Sequence, residues 1–131
     1  MSGMELVTHN PVDGVYPATG DYVHAVEVRG APRMLFISGT MGLDPAGRPG
    51  ATLTEQLELV WDNIRAILAS AGMTVDNIVR QTSYLRDVAY AEENAAARVA
   101  ALGGRAIPTT AIVVQTLEKD WLIELEIVAA G

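Results

Sequence analysis

The stretch from Thr52 to Gly72 restricts the fold more than any other part of the chain. Leu57, Val60, Trp61, Ile64, Ile67, Leu68 and Ala71 recur at three- and four-residue steps, which on an α-helix makes a single apolar stripe. Thr52-Leu53-Thr54-Glu55 has the form of a capping box, in which the hydroxyl and the carboxylate satisfy free backbone amides reciprocally. Gly72 stands where a C-terminal cap residue with positive φ belongs. A helix with one dry side needs an apolar surface to lie on, so the rest of the chain must supply one.

Segments of β character lie on both sides of this helix. After an opening made irregular by Pro11, Gly14, Pro17 and Gly20, side chains alternate from Tyr22 to Val28, and Gly30-Ala31-Pro32-Arg33 reads as a turn. Met34-Leu35-Phe36-Ile37 is an all-apolar run of the kind covered on both faces, ending at Ser38-Gly39, so the two segments are expected to form a hairpin. Met34, Met41 and Trp61 read as core. A turn at Asp44-Pro45-Ala46-Gly47 precedes the helix. Beyond it, Ile78 to Leu85 reads as a strand, and Asp87 precedes Val88, Ala91, Ala95, Val99 and Leu102, the stripe of a second helix stopped by Gly103-Gly104. Thr109 to Thr116 is another β-branched run. In the last strand Trp121, Ile123, Leu125 and Ile127 alternate with Leu122, Glu124, Glu126 and Val128.

Strands, helix, strand, helix, strands predicts an α+β sandwich: a mixed β-sheet with two helices on one face. The length of 131 residues fits a single domain over 1–131. The other sheet face then lacks cover within the chain. With 50% hydrophobic and only 19% charged residues, burial against further copies of the chain is the simplest remedy.

Composition excludes several classes of function. The absence of cysteine removes disulfide scaffolds, thiolate metal sites and thiol nucleophiles, and His9 and His24 leave little for an imidazole metal site. A formal charge of -7 repels phosphate backbones, so no nucleic-acid partner is expected. There is no run of the ~18 apolar residues that would span a membrane, and the opening residues do not resemble a signal peptide, so a cytoplasmic address is expected.

Glu124 and Glu126 share one side of the last strand, because side-chain direction repeats every second residue. Two adjacent carboxylates on a dry face repel, which raises a pKa toward the range of a general acid or base; on a wet face they are merely solvated. Leu122 and Val128 flank the pair and make that face more apolar. Ser38-Gly39-Thr40-Met41-Gly42 can point backbone amides at an anion, but it has neither P-loop nor dinucleotide spacing, and Ser38 lacks a hydrolase context. His24 reads as a satisfied, half-buried histidine.

Residue combinations go further than periodicity. Gly20-Asp21-Tyr22-Val23-His24-Ala25-Val26, Leu35-Phe36-Ile37-Ser38-Gly39-Thr40, Asp62-Asn63-Ile64 with Ala71-Gly72, Tyr84-Leu85-Arg86-Asp87-Val88, Pro108-Thr109-Thr110 and Ile123-Glu124-Leu125-Glu126 occur in an order that resembles the RidA/YjgF, or Rid, superfamily over about residues 10–130. The resemblance implies a chorismate-mutase-like fold assembled as a homotrimer, with small-molecule clefts between subunits. It implies hydrolysis of reactive enamines and imines to 2-keto acids and ammonia without cofactor or metal. Carried over by motif, the family's cleft tyrosine falls on Tyr22, its serine on Ser38, its helix asparagine on Asn94 and its water-handling glutamate on Glu124, with Gly39 beside the substrate.

One position departs from the family's pattern. Thr110 stands where the deaminases carry an arginine for the substrate carboxylate, and a hydroxyl cannot imitate a charged two-pronged donor. Arg105 is the sequence neighbour that can reach over. The resemblance therefore implies a member outside the standard 2-imino acid deaminases: a hydrolase of a related small metabolite or, alternatively, a non-catalytic trimeric binding protein. The endoribonuclease activity attributed to some relatives is disfavoured by the acidic balance.

Overall fold

The computed structural model describes residues 4–30 and 33–131. Its strands are β1 (Glu5–His9), β2 (Ala25–Arg29), β3 (Met34–Met41), β4 (Ile78–Leu85), β5 (Thr109–Val113) and β6 (Ile123–Ala130), and its helices are α1 (Leu53–Ser70) and α2 (Ala91–Ala101). The fold is the expected α+β arrangement. A four-stranded sheet runs in the order β3-β6-β4-β5, with β4 and β5 parallel and the other neighbours antiparallel. No helix among the described residues is long and apolar enough to cross a membrane.

The core lies between the helices and one face of this sheet. Leu57, Val60, Trp61, Ile64 and Leu68 of α1 pack on Ile37 of β3, Ile78 and Leu85 of β4, and Ile123, Leu125 and Ile127 of β6. α1 forms where its pattern requires. Thr52 caps it by accepting from the Glu55 amide, the Glu55 carboxylate reaches back to the amide of Ala51 at 2.8 Å, and Gly72 follows with φ +70°. Gln56, 2% exposed, ties the helix to the entry of β6: its Nε2 donates to the carbonyls of Gly50 and Asp120, and its Oε1 accepts from the Leu122 amide. Asn63 donates to the carbonyls of Met41 and Leu43 and so fixes the end of β3.

Several expectations need correction. The hairpin does not form: β2 pairs with β1, a strand within the opening read as irregular, and β3 pairs with β6. β3 gains more from β6, whose Ile127 and Ala129 continue the surface under α1, than half-polar β2 offers. The turn expected between them falls partly on Ala31 and Pro32, outside the described residues. Tyr22 to His24 precede β2, and Tyr22 makes only a single parallel bridge to Ile107. β3 runs on to Met41 across a bulge at Ser38-Gly39, and it is not covered on both faces: Phe36 is 74% and Met34 47% exposed. β5 stops at Val113 rather than Thr116.

α2 is preceded by a short 3-10 turn over Val88–Tyr90, and it lies in a different rotation from the expected stripe. Val88 is exposed and Val99 partly so, whereas Asn94 and Arg98 are buried, with Ala97, Ala101 and Leu102 toward the core. Alanine is tolerated on either side of a helix, so a distant partner decides. Arg98 donates to both the carbonyl and the carboxylate of Asp21 at 2.9 Å.

Candidate functional site

On the sheet face turned away from the helices, strand register arranges side chains in rows. Phe36 of β3 lies opposite Val128 of β6, which lies opposite Arg80 of β4. Thr82 lies between Glu126 on β6 and Thr110 on β5, and Tyr84 lies between Glu124 and Ile112. Because Ile37 pairs with Ile127 and Thr40 with Leu125, the bulged Ser38-Gly39 pair faces the single residue Glu126.

At one end of this face sits Glu124. Its carboxylate rests directly on Gly39: a β-carbon there would lie 2.9 Å from the Glu124 Cδ and closer still to Oε2. The carboxylate lines a pocket of about 270 Å³ with Gly39, Tyr84, Thr116 and Glu126. The two carboxylates are not equivalent. The Tyr84 hydroxyl donates to Glu126 at 2.9 Å, and this bond, with desolvation and the charges of both glutamates, raises the phenol above its ordinary pKa and keeps it a donor. Among the described residues the Glu124 carboxylate takes no side-chain hydrogen bond. Ser38, exposed, opens instead onto a neighbouring pocket of about 690 Å³ that shares Gly39.

Toward the β5 edge of the sheet lie Thr110 and, beyond it, Tyr22. The Tyr22–Ile107 bridge sets the tyrosine beside the residues leading into β5, and its ring meets His24 edge-on at 5.8 Å. His24 is half-buried and its Nε2 is bonded to the Tyr16 carbonyl at 2.7 Å. Arg98 of α2 anchors this segment through Asp21, whose carboxyl is held below its ordinary pKa by the Thr19 hydroxyl first and the guanidinium second. Asn94, one turn before Arg98, is 3% exposed, and its Oδ1 is buried without a partner.

Arg105 is occupied elsewhere. Its guanidinium donates to the carbonyls of Val75 and Ile78 at 2.8 and 2.9 Å, closing the turn before β4. The arginine that meets Thr110 is Arg80, whose Nη2 donates to the threonine hydroxyl at 3.2 Å. Sequence reasoning missed Arg80 and the Tyr84–Glu126 pair. The signal was the alternation Arg80, Thr82, Tyr84 along β4, which marks the open face once the strand's neighbours are known.

The rows also set a distance. Thr110 and Glu124 are two strands and two residues apart, so with strands ~4.8 Å apart and a rise of ~3.3 Å per residue their Cα atoms are separated by roughly 12 Å. A molecule of a few heavy atoms cannot touch both within one chain. Among the described residues no group of histidine and carboxylate side chains is placed to hold a metal ion.

The architecture is an α+β sandwich, a mixed sheet with both helices on one face and a glutamate seated on a glycine on the other. The model of the family described as Endoribonuclease L-PSP matches residues 14–131, and the chain belongs to that family, within the RidA/YjgF superfamily. It is 34% identical over 116 residues to a RutC family protein of Pyrococcus horikoshii, covering 84% of this chain and 86% of that one. A RutC family protein of Aquifex aeolicus is 41% identical over 70 residues, a match spanning 53% of this chain and about half, 54%, of that relative. The crystal structure of the Rid family protein YyfB from Yersinia pestis, described as of unknown function, superposes with a TM-score of 0.82 at 28% identity, covering 96% of this chain and 98% of that one.

Proposed function

We propose that the protein hydrolyses a small, reactive imine or enamine in clefts between the protomers of a homotrimer, with Glu124 as the carboxylate that handles water. The observation that carries this reading is the contrast between the two glutamates. Glu126 is engaged by Tyr84, while Glu124 lies unbonded over Gly39 at the wall of a pocket. A free carboxylate is what a general base requires.

The chemistry then follows. Glu124 takes a proton from water as its oxygen attacks the C=N carbon, and the proton passes on to nitrogen. As the hydroxyl proton of the resulting carbinolamine passes to nitrogen, the C–N bond breaks and the C–O bond becomes double, releasing ammonia and leaving a carbonyl. Tyr22, Ser38, Thr110 and the backbone at Gly39 are the groups proposed to hold the substrate, whereas Asn94, buried on α2 behind the sheet, does not reach this face; the step needs neither metal nor cofactor. Since Thr110 and Tyr22 lie toward the β5 edge of the sheet, with Thr110 roughly 12 Å from Glu124, different protomers would supply the two halves of a complete site. The exposed Phe36, Met34 and Ile112 supply the apolar surface for such an assembly.

Two measurements test the proposal. Light scattering during size exclusion should give the mass of three chains, and a stable single-chain mass at micromolar concentration would overturn the shared cleft. Glu124→Gln, which keeps the shape and removes the base, should lower ammonia release from a hydrolysed imine by about 10²–10⁴-fold, while Glu126→Gln retains most of it. The reverse order would assign the base to Glu126.

A non-catalytic trimeric binding protein is the second reading, favoured by Thr110 in place of an arginine. Ribonuclease action is disfavoured, because the face carrying Glu124 and Glu126 adds local negative charge to a chain of net charge -7.

A further inference from the structure

We propose that Tyr84 is a second catalytic residue of the Glu124 pocket: its hydroxyl accepts a hydrogen bond from the attacking water and so orients it. The proposal rests on the hydrolase reading for its reaction and on the surroundings of Tyr84 for its location. Tyr84 of β4 stands directly opposite Glu124 of β6, an antiparallel pairing that brings Cβ atoms to about 5 Å. Both side chains lean toward the same place. The Glu124 carboxylate rests on Gly39, which belongs to the bulge facing Glu126, and the Tyr84 hydroxyl reaches Glu126 itself at 2.9 Å. Carboxylate and phenol therefore come together at the wall of one pocket of about 270 Å³, which has room for a water molecule beside a small substrate.

A phenol hydroxyl has one proton to give and lone pairs with which to accept. In Tyr84 the proton is spent on Glu126, so toward the pocket the hydroxyl is an acceptor. The bond to Glu126 first, then desolvation and the charges of Glu126 and Glu124, raise the phenol above its ordinary pKa and keep that proton in place at neutral pH. Water held between this acceptor and a base has a fixed orientation. Glu124 takes one of its protons, while the O–H directed at Tyr84 stays on the oxygen as it bonds to the C=N carbon and becomes the hydroxyl of the carbinolamine. The phenol neither gains nor loses a proton over the cycle. With Glu124 alone the water has a single tether and turns about it, and lost orientation of a reacting atom is costly. Glu126 serves the step indirectly, as the sink for the phenol's proton. It is exposed, whereas Tyr84 and Glu124 are half-buried, and two carboxylates on one water would set like charges against each other.

The experiment compares the native protein with Tyr84→Phe and Glu124→Gln. Ammonia release is measured from two probes generated in situ, 2-iminobutyrate and the carboxylate-free butan-2-imine, with thermal unfolding of the same preparations. Tyr84→Phe keeps the ring and removes the acceptor. Its kcat should fall about 10- to 100-fold with KM within about twofold of native, because the water and not the substrate has lost a contact. The melting temperature should stay within a few degrees, and the acid limb of the pH–rate profile should keep its position, since Glu124 remains the base. An unchanged kcat, a loss confined to KM, or a loss of activity that follows a fall in melting temperature would overturn the proposal. So would an alkaline limb that is present in the native profile and absent from Tyr84→Phe, which would make the phenol a proton donor. The reading of Glu124 fails separately: Glu124→Gln as active as the native chain, beside a slow Tyr84→Phe, would remove Glu124 as the base and leave Tyr84 as the contact of the water. A slow Glu124→Gln beside a fully active Tyr84→Phe would do the opposite, and no ammonia release by the native chain from either probe would sink both.

Discussion

Replacing Gly42 by alanine is expected to lower the melting temperature by about 10 °C, the largest loss foreseen for a single methyl group in this chain. Gly42 is buried where β3 leaves the sheet under α1, and a β-carbon there would lie 2.6 Å from both the Cα and the Cβ of Gln56, and closer to its carbonyl oxygen. The obstacle is helix backbone, which cannot step aside without moving the turn that carries the bonds of Gln56 to Gly50, Asp120 and Leu122. Overpacking of this kind costs ~1–3 kcal/mol, and a rigid neighbour places it near 3. Thermal unfolding followed by circular dichroism checks it, and an unchanged melting temperature would mean that β3 and α1 are not held this closely.

Gly39→Ala, three residues earlier, should behave in the opposite way, losing activity and keeping stability. The atoms its methyl group meets are the end of the Glu124 side chain, which is free to swing because nothing bonds it. The carboxylate must move by about 1 Å, and a misplacement of that size can cost on the order of 10²-fold in rate. The melting temperature should stay within a few degrees. Ammonia release and thermal unfolding measured on the same preparation separate the two glycines, and full turnover by Gly39→Ala would remove Glu124 from the chemistry.

The sequence was most legible where packing is local and periodic. α1 is readable from its cap to Gly72 because each residue of its stripe meets the same apolar sheet, and β4 and the alternation of β6 are readable for the same reason. Legibility fails where a partner far along the chain decides. Arg98 looks like a solvated helix residue until Asp21, on a separate loop, is known to receive it. β3 looks finished at Ser38-Gly39 because two small residues usually mark a turn, whereas here they form a bulge that makes room for a side chain of β6.

The candidate site was legible in kind rather than in arrangement. Side-chain period places Glu124 and Glu126 together but treats them alike, and only the Tyr84 hydroxyl distinguishes them. Arg105 is the nearer arginine to Thr110 along the chain, yet the parallel pairing of β4 with β5 brings Arg80 to it across a crossover of about one helix.

The strand order has a consequence for how the chain is made. β6 comes last of the six strands along the chain, yet it sits between β3 and β4 and supplies the middle of the core. While a ribosome is still adding residues before Ile123, β3 has no neighbour in its sheet, α1 has little to lie on, and the apolar faces of both wait in water. Pairing strands so far apart in sequence is slow to begin, because the intervening chain must first surrender its freedom. The four-stranded sheet therefore closes only with β6, a strand of eight residues that enters between β3 and β4.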